Sequence, residues 1–103
     1  MKYLNYTPHN IILNSGEVYS PEGTQSVRIV ETYEPVGSTP EVYTIVKGPI
    51  ANLPNPEVGV RLIVSAMVLR SSNRLDLVAP ATGHKDAIRD SKGRIVSVPG
   101  FII

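Results

Sequence analysis

The chain has 103 residues, 42% of them hydrophobic and 18% charged, with a formal net charge of +1; it reads as one globular β-rich domain over 1–103, not as a disordered chain. Acids and bases are interleaved, so the basic stripe that a nucleic-acid polymer or an anionic membrane calls for is missing. The absence of cysteine excludes a disulfide framework, a thiolate metal site and a cysteine nucleophile together.

Tyr3–Tyr6 reads as a first strand, stopped by Pro8. Asn10–Leu13, the turn Asn14-Ser15-Gly16 and Glu17-Val18-Tyr19 form a hairpin pattern in which the glycine takes φ > 0. Gln25–Tyr33 alternates as a strand does, with Val27, Ile29, Glu31 and Tyr33 on one face. Glu34–Pro40 has the composition of a loop, Glu41–Lys47 that of the next strand, and the prolines at 49, 54 and 56 make Gly48–Gly59 an extended connection. Arg61–Ser65 reads as strand and Ala66–Ser71 as a short helix. A second hairpin closes the chain, with Ala87-Ile88-Arg89 and Arg94–Val98 on either side of Asp90-Ser91-Lys92-Gly93. Short strands with turn signals every eight to twelve residues predict a mostly β fold, a small antiparallel barrel or sandwich with at most one short helix.

Two polar stretches stand out as candidate sites. In Thr7-Pro8-His9, the proline fixes φ and biases Thr7 toward extended backbone, so the triplet redirects the chain. It reads either as a stiffened turn with a half-exposed histidine or as a rigid turn whose Thr7 hydroxyl and His9 imidazole face a ligand. In Arg70-Ser71-Ser72-Asn73-Arg74-Leu75-Asp76, two arginines four apart suit a phosphate or carboxylate, because a guanidinium donates in a bidentate fork. The plainer reading of that stretch is a solvated loop shaped by an Arg74–Asp76 pair. The five tyrosines read as packing residues first.

Catalytic patterns are weak. No Gly-x-Ser-x-Gly elbow occurs, and His84-Lys85-Asp86 lacks a second metal ligand at usable spacing. The expectation is therefore a non-enzyme with neither cofactor nor metal. The N-terminus lacks an apolar signal-peptide stretch and no run approaches the ~20 residues of a membrane span, so the expected compartment is cytoplasmic.

The opening Leu-Asn-Tyr-Thr-Pro-His, Gly23-Thr24 leading to Val27-Arg28, Ile63-Val64-Ser65, Arg74–Pro80 and the closing Arg89-Asp90 … Gly93-Arg94-Ile95 resemble a family of small phage, prophage and bacterial proteins that open Leu-Asn-x-Thr-Pro-His. The resemblance covers nearly the whole chain and brings no activity with it. It implies Thr7, Pro8, His9, Arg28, Ser65, Arg74 and Asp76 as the polar signature; the polar stretch Arg70–Asn73 departs from the family pattern, at the place where the helix is expected.

A phage-type protein of this size suggests a binder that sequesters a nucleotide-derived, phosphate-bearing host immune signal without catalysis. Arg70 and Arg74 would neutralise phosphate, Thr7, His9 and Arg28 would complete the site, and Asp76 would orient Arg74. The alternatives are a protein-binding inhibitor or virion accessory protein, and a small phosphodiesterase with His9 as general base. The closing Phe101-Ile102-Ile103 is too apolar to leave in water; it predicts a homo-oligomer with the tail at the interface.

Overall fold

The computed structural model describes residues 1–23 and 25–103. Strands β1 (Lys2–Asn5), β6 (Val60–Ile63), β7 (Leu77–Pro80) and β10 (Phe101–Ile102) form the main sheet in the order β1-β6-β7-β10. The remaining strands pair off as three two-stranded units: β2 (Ile11–Ile12) with β3 (Val18–Tyr19), β4 (Arg28–Val36) with β5 (Thr39–Ala51), and β8 (Ile88–Arg89) with β9 (Ile95–Ser97). The mostly β composition with one short helix is as expected. The antiparallel barrel or sandwich is not: several small sheets are present, none closed into a barrel, and both β1–β6 and β6–β7 run parallel.

The parallel pairs explain why the apolar segments look as they do. A strand buried on both faces reads as a continuous apolar run, and Leu62, Ile63 and Val64 are buried, as are Leu77, Val78 and Ala79. Parallel neighbours need a crossover, which runs from Val64 to Asp76 and contains the helix α1 (Ala66–Arg70). Ser65 sits at its N-cap, where its hydroxyl oxygen accepts from the Val68 N–H at 3.2 Å. That is the structural role of the signature serine.

One face of the sheet packs on a core of Val27, Leu62, Val64, Val68 and Leu77, joined by Leu4, Tyr6, Ile29, Ile50 and Leu53. On the other, Tyr3 of β1 stacks with Phe101 of β10 at 4.9 Å between ring centroids, and Tyr19 meets both rings edge-on. Tyr3 and Phe101 belong to the outermost strands, so the sheet must curl to bring them together. The tail folds back on its own chain as far as Ile102, with β10 antiparallel to β7, while Ile103 stays 90% exposed. Ring stacking adds to the partial burial of Phe101.

Both hairpins predicted at the ends of the chain are present, with Gly16 at φ 102° and Gly93 at φ 80°. They lock side by side: the Ser97 hydroxyl donates to Asn14 Oδ1 at 2.6 Å, and Asn14 Nδ2 donates to the Asp86 carbonyl at 2.9 Å.

The middle hairpin is longer than the sequence suggested. Strand β4 continues through Glu34 and Pro35, and β5 runs from Thr39 through Pro49 to Ala51, so the expected loop over Glu34–Pro40 shrinks to a turn at Gly37-Ser38. Gly37, at φ 57°, takes the backbone conformation that such a tight connection needs. Only the base of the hairpin, through Ile29 and Ile50, reaches the core; residues 30–49 are exposed. The radius of gyration, 16.1 Å, exceeds the ~13 Å of a compact chain of this length. The difference is the projecting arm. Among the described residues, no helix is long and apolar enough to cross a membrane.

Candidate functional site

The two polar stretches have opposite fates. At the end of β1, Asn5 is 1% exposed and divides its amide between the turn that follows and β3. Its Oδ1 accepts from the Thr7 N–H at 2.9 Å and the Thr7 hydroxyl at 2.6 Å, while Nδ2 donates to the carbonyls of His9 at 2.7 Å and Tyr19 at 2.8 Å. Thr7 is buried with its hydroxyl committed to this network. Pro8 and His9 are exposed on the outside of the bend. The Asn5 bonds also tie the bend to β3 through Tyr19, so the Asn-Tyr-Thr-Pro-His stretch fastens the first hairpin to the main sheet. Asn5 itself was missed by sequence reasoning; the signal was its Asn-x-Thr spacing, which suits an Asx-turn.

The crossover between α1 and β7 is arranged differently. Arg74 donates through Nε to Asp76 Oδ1 at 2.9 Å and through NH2 to Asp76 Oδ2 at 2.6 Å, a bidentate fork, and through NH1 to the Pro54 carbonyl at 2.7 Å. The pair is partly buried, with side-chain exposures of 24% and 17%. The hydrogen bonds from Arg74 hold the Asp76 carboxyl below its usual value, against a smaller opposing effect of burial. The same bonds raise the Arg74 guanidinium. Asp76 thus orients Arg74, and Arg74 pins the connection around Pro54 to the crossover.

Beside this clamp lies a cleft of about 650 Å³ lined by Arg61, Arg70 and Arg74 with Ser72 and Asn73 at its polar side, and by Leu69, Leu75, Leu77, Ile102 and Ile103 at its apolar side. Asp76 neutralises Arg74, whereas Arg61 and Arg70 form no ion pair among the described residues. Arg61 was not singled out from the sequence, because an arginine between Val60 and Leu62 reads as one polar residue of a strand. Its position on β6, beside the crossover, aims it into the cleft that Arg70 borders from the helix end. The tail completes the apolar wall through Ile102 and Ile103.

The predicted site residues do not all share this cleft. Arg70 and Arg74 line it and Asp76 supports it. His9 borders a separate, smaller apolar cavity of about 260 Å³ with Ile11, Ile12, Pro80 and Val96. Arg28 lies at the base of the arm with Gln25, Ser26 and Asn52. Thr7 lines none of these cavities. Within one chain the Thr-Pro-His turn and the arginine loop are therefore separate surfaces. Among the described residues, no group of three or more His, Asp or Glu side chains is placed to hold a metal ion.

The chain matches no family model, no curated protein and no solved structure at a significant level.

Proposed function

We propose that the protein binds a small phosphate-bearing molecule in the arginine cleft and sequesters it without turnover, with a nucleotide-derived host immune signal as the ligand class. The observation that carries this reading is the pair Arg61 and Arg70, which have no ion pair among the described residues and line one cleft together with Leu69, Leu75, Leu77, Ile102 and Ile103. A guanidinium donates bidentately to phosphate oxygens. Aliphatic side chains accept the apolar faces of a base or ribose, and about 650 Å³ lies within the range of small-molecule sites. Ser72 and Asn73 add neutral donors and acceptors for orientation.

Thr7, His9 and Arg28 drop out of the binding role, since Thr7 is committed to its turn and the other two border different cavities. The phosphodiesterase alternative finds less support, because His9 does not border the arginine cleft. Arg74 becomes a positioning residue whose charge is already cancelled by Asp76.

Incubating the protein with a panel of cyclic dinucleotides and cyclic ADP-ribose isomers, removing the unbound fraction and heating the remainder tests the reading. A bound compound released chemically unchanged is the expected result. Products accumulating over many turnovers would refute the non-catalytic reading, and no retained compound from the panel would refute the ligand class.

A further inference from the structure

The arm formed by β4 and β5 is a sheet without a second layer, and a lone two-stranded hairpin is at best marginally stable in water. Directly opposed residues of an antiparallel pair share a face, so the register places Glu31 with Lys47, Tyr33 with Ile45, and Pro35 with Tyr43 on one side of the arm. That face carries a charged rung at its base and an apolar stretch beyond it. Tyr33, Tyr43 and Ile45 are 66%, 56% and 53% exposed, although none belongs to a turn.

From these features we infer that this face of the arm docks on the same face of a second copy of the chain. Three observations select that occupant. The first is area. The accessible surface is 7114 Å², against about 5,700 Å² for a compact monomer of this mass. The excess, about 1,400 Å², belongs to the whole extended shape with the arm included, and it is of the size that each subunit of an obligate dimer gives up, roughly 1,000–2,500 Å².

The second observation is self-complementarity. With a two-fold axis running along the arm, β4 of one copy lies over β5 of the other. Glu31 then meets the partner's Lys47, Tyr33 meets the partner's Ile45, and Pro35 meets the partner's Tyr43, each contact occurring twice. Among the described residues neither Glu31 nor Lys47 forms an ion pair, which leaves both for these contacts.

The third observation concerns the edges. Pro35 in β4 and Pro49 in β5 are tolerated in strands where the missing N–H faces a free edge. They interrupt the row of donors that another strand would pair with, which disfavours open-ended growth edge to edge and leaves the face as the docking surface. The partner adds the second layer that the hairpin lacks.

Sedimentation of the full chain at micromolar concentration should give twice the 11.2 kDa monomer mass. Tyr33→Glu lies far from the core and should leave the cooperative unfolding of the sheet intact while weakening the dimer by roughly 30-fold or more, the effect of losing a hot-spot aromatic. Glu31→Lys and Lys47→Glu should each dissociate the dimer when alone, because each places like charges across the two-fold axis. Mixing these two variants should restore a dimer, since every rung then meets its opposite charge. A monomer at tens of micromolar would overturn the inference, including one that pairs with a different protein. So would a dimer indifferent to Tyr33→Glu, or two charge variants that do not recombine.

Discussion

The turn after β1 and the crossover before β7 look alike in sequence, each a polar stretch between apolar strands, yet they dispose of their polar groups in opposite ways. Around Asn5 every donor and acceptor of the amide is satisfied from within the chain, and Thr7 closes on the same side chain. At the crossover only Arg74 and Asp76 are consumed, and Arg61 and Arg70 remain directed at an open cleft. The difference separates architecture from a candidate site. A polar group that has its partners already contributes to stability; one that is held in place and left unpaired is available to a ligand.

Breaking the first region should produce the largest change in stability. Asn5→Ala removes the amide that satisfies the Thr7 N–H and the carbonyls of His9 and Tyr19. Urea denaturation should show a loss of about 3 kcal/mol or more, from unsatisfied buried groups at roughly 1–3 kcal/mol each. His9→Ala, on the exposed side of the same turn, should stay within about 0.5 kcal/mol. A reversed order would show that the histidine, rather than the asparagine, holds the bend.

The clamp comes next. Arg74→Ala strands a partly buried carboxylate and frees the Pro54 carbonyl, and should cost about 2 kcal/mol at neutral pH. It is thus a poor probe of binding alone. The pH dependence has a definite sign. The Asp76 carboxyl titrates lower in the folded protein than in the unfolded chain, so its pairing stabilises the fold above the unfolded value of ~3.9 and that contribution fades as pH falls through the lower folded one. The stability gap between the natural chain and Asp76→Asn should accordingly be full at pH 7 and shrink below about pH 4. Denaturation curves at pH 7 and pH 3 measure it; a gap independent of pH would show that packing, not the charge, is what Asp76 provides.

The smallest effect on stability belongs to the cleft. Arg70→Ala removes an exposed side chain with no ion pair and should change the unfolding free energy by no more than about 0.5 kcal/mol. A larger loss would place Arg70 with the architecture and narrow the difference between the two regions.

Much of this arrangement is legible in the sequence, and the omissions have physical causes. Gly16 and Gly93 mark hairpins because their turns are local. The Ala-Met-Val-Leu-Arg run reads as a short helix, whereas Ser65, read as the end of the strand, turns out to be its N-cap. The arm is underestimated because Pro35, Gly37, Pro40 and Pro49 look like breakers. A two-stranded ribbon has two free edges, so proline costs it little there. The parallel pairing of β1 with β6 is not readable, since apolar alternation states that a strand is buried and not which distant strand it meets. An even spacing of turns consequently suggests a closed antiparallel sheet that the chain does not build. At the site, Arg70, Arg74 and Asp76 are conspicuous because they are close in sequence. Arg61 joins them only through the crossover.

Arg61 and Arg70 are proposed to make the cleft an anion site. Thermal unfolding of the natural chain and of the Arg61→Ala/Arg70→Ala variant, with and without each cyclic dinucleotide and cyclic ADP-ribose isomer, tests it most directly. A ligand at 100 times its dissociation constant stabilises a protein by about 2.7 kcal/mol, which at roughly 4–8 °C per kcal/mol raises the melting temperature by about 10–20 °C. At least one compound should give such a shift in the natural chain, reduced by added salt and abolished in the variant, whose unliganded melting temperature stays near that of the natural chain. A shift of equal size in the variant, or none in either protein across the panel, would contradict it.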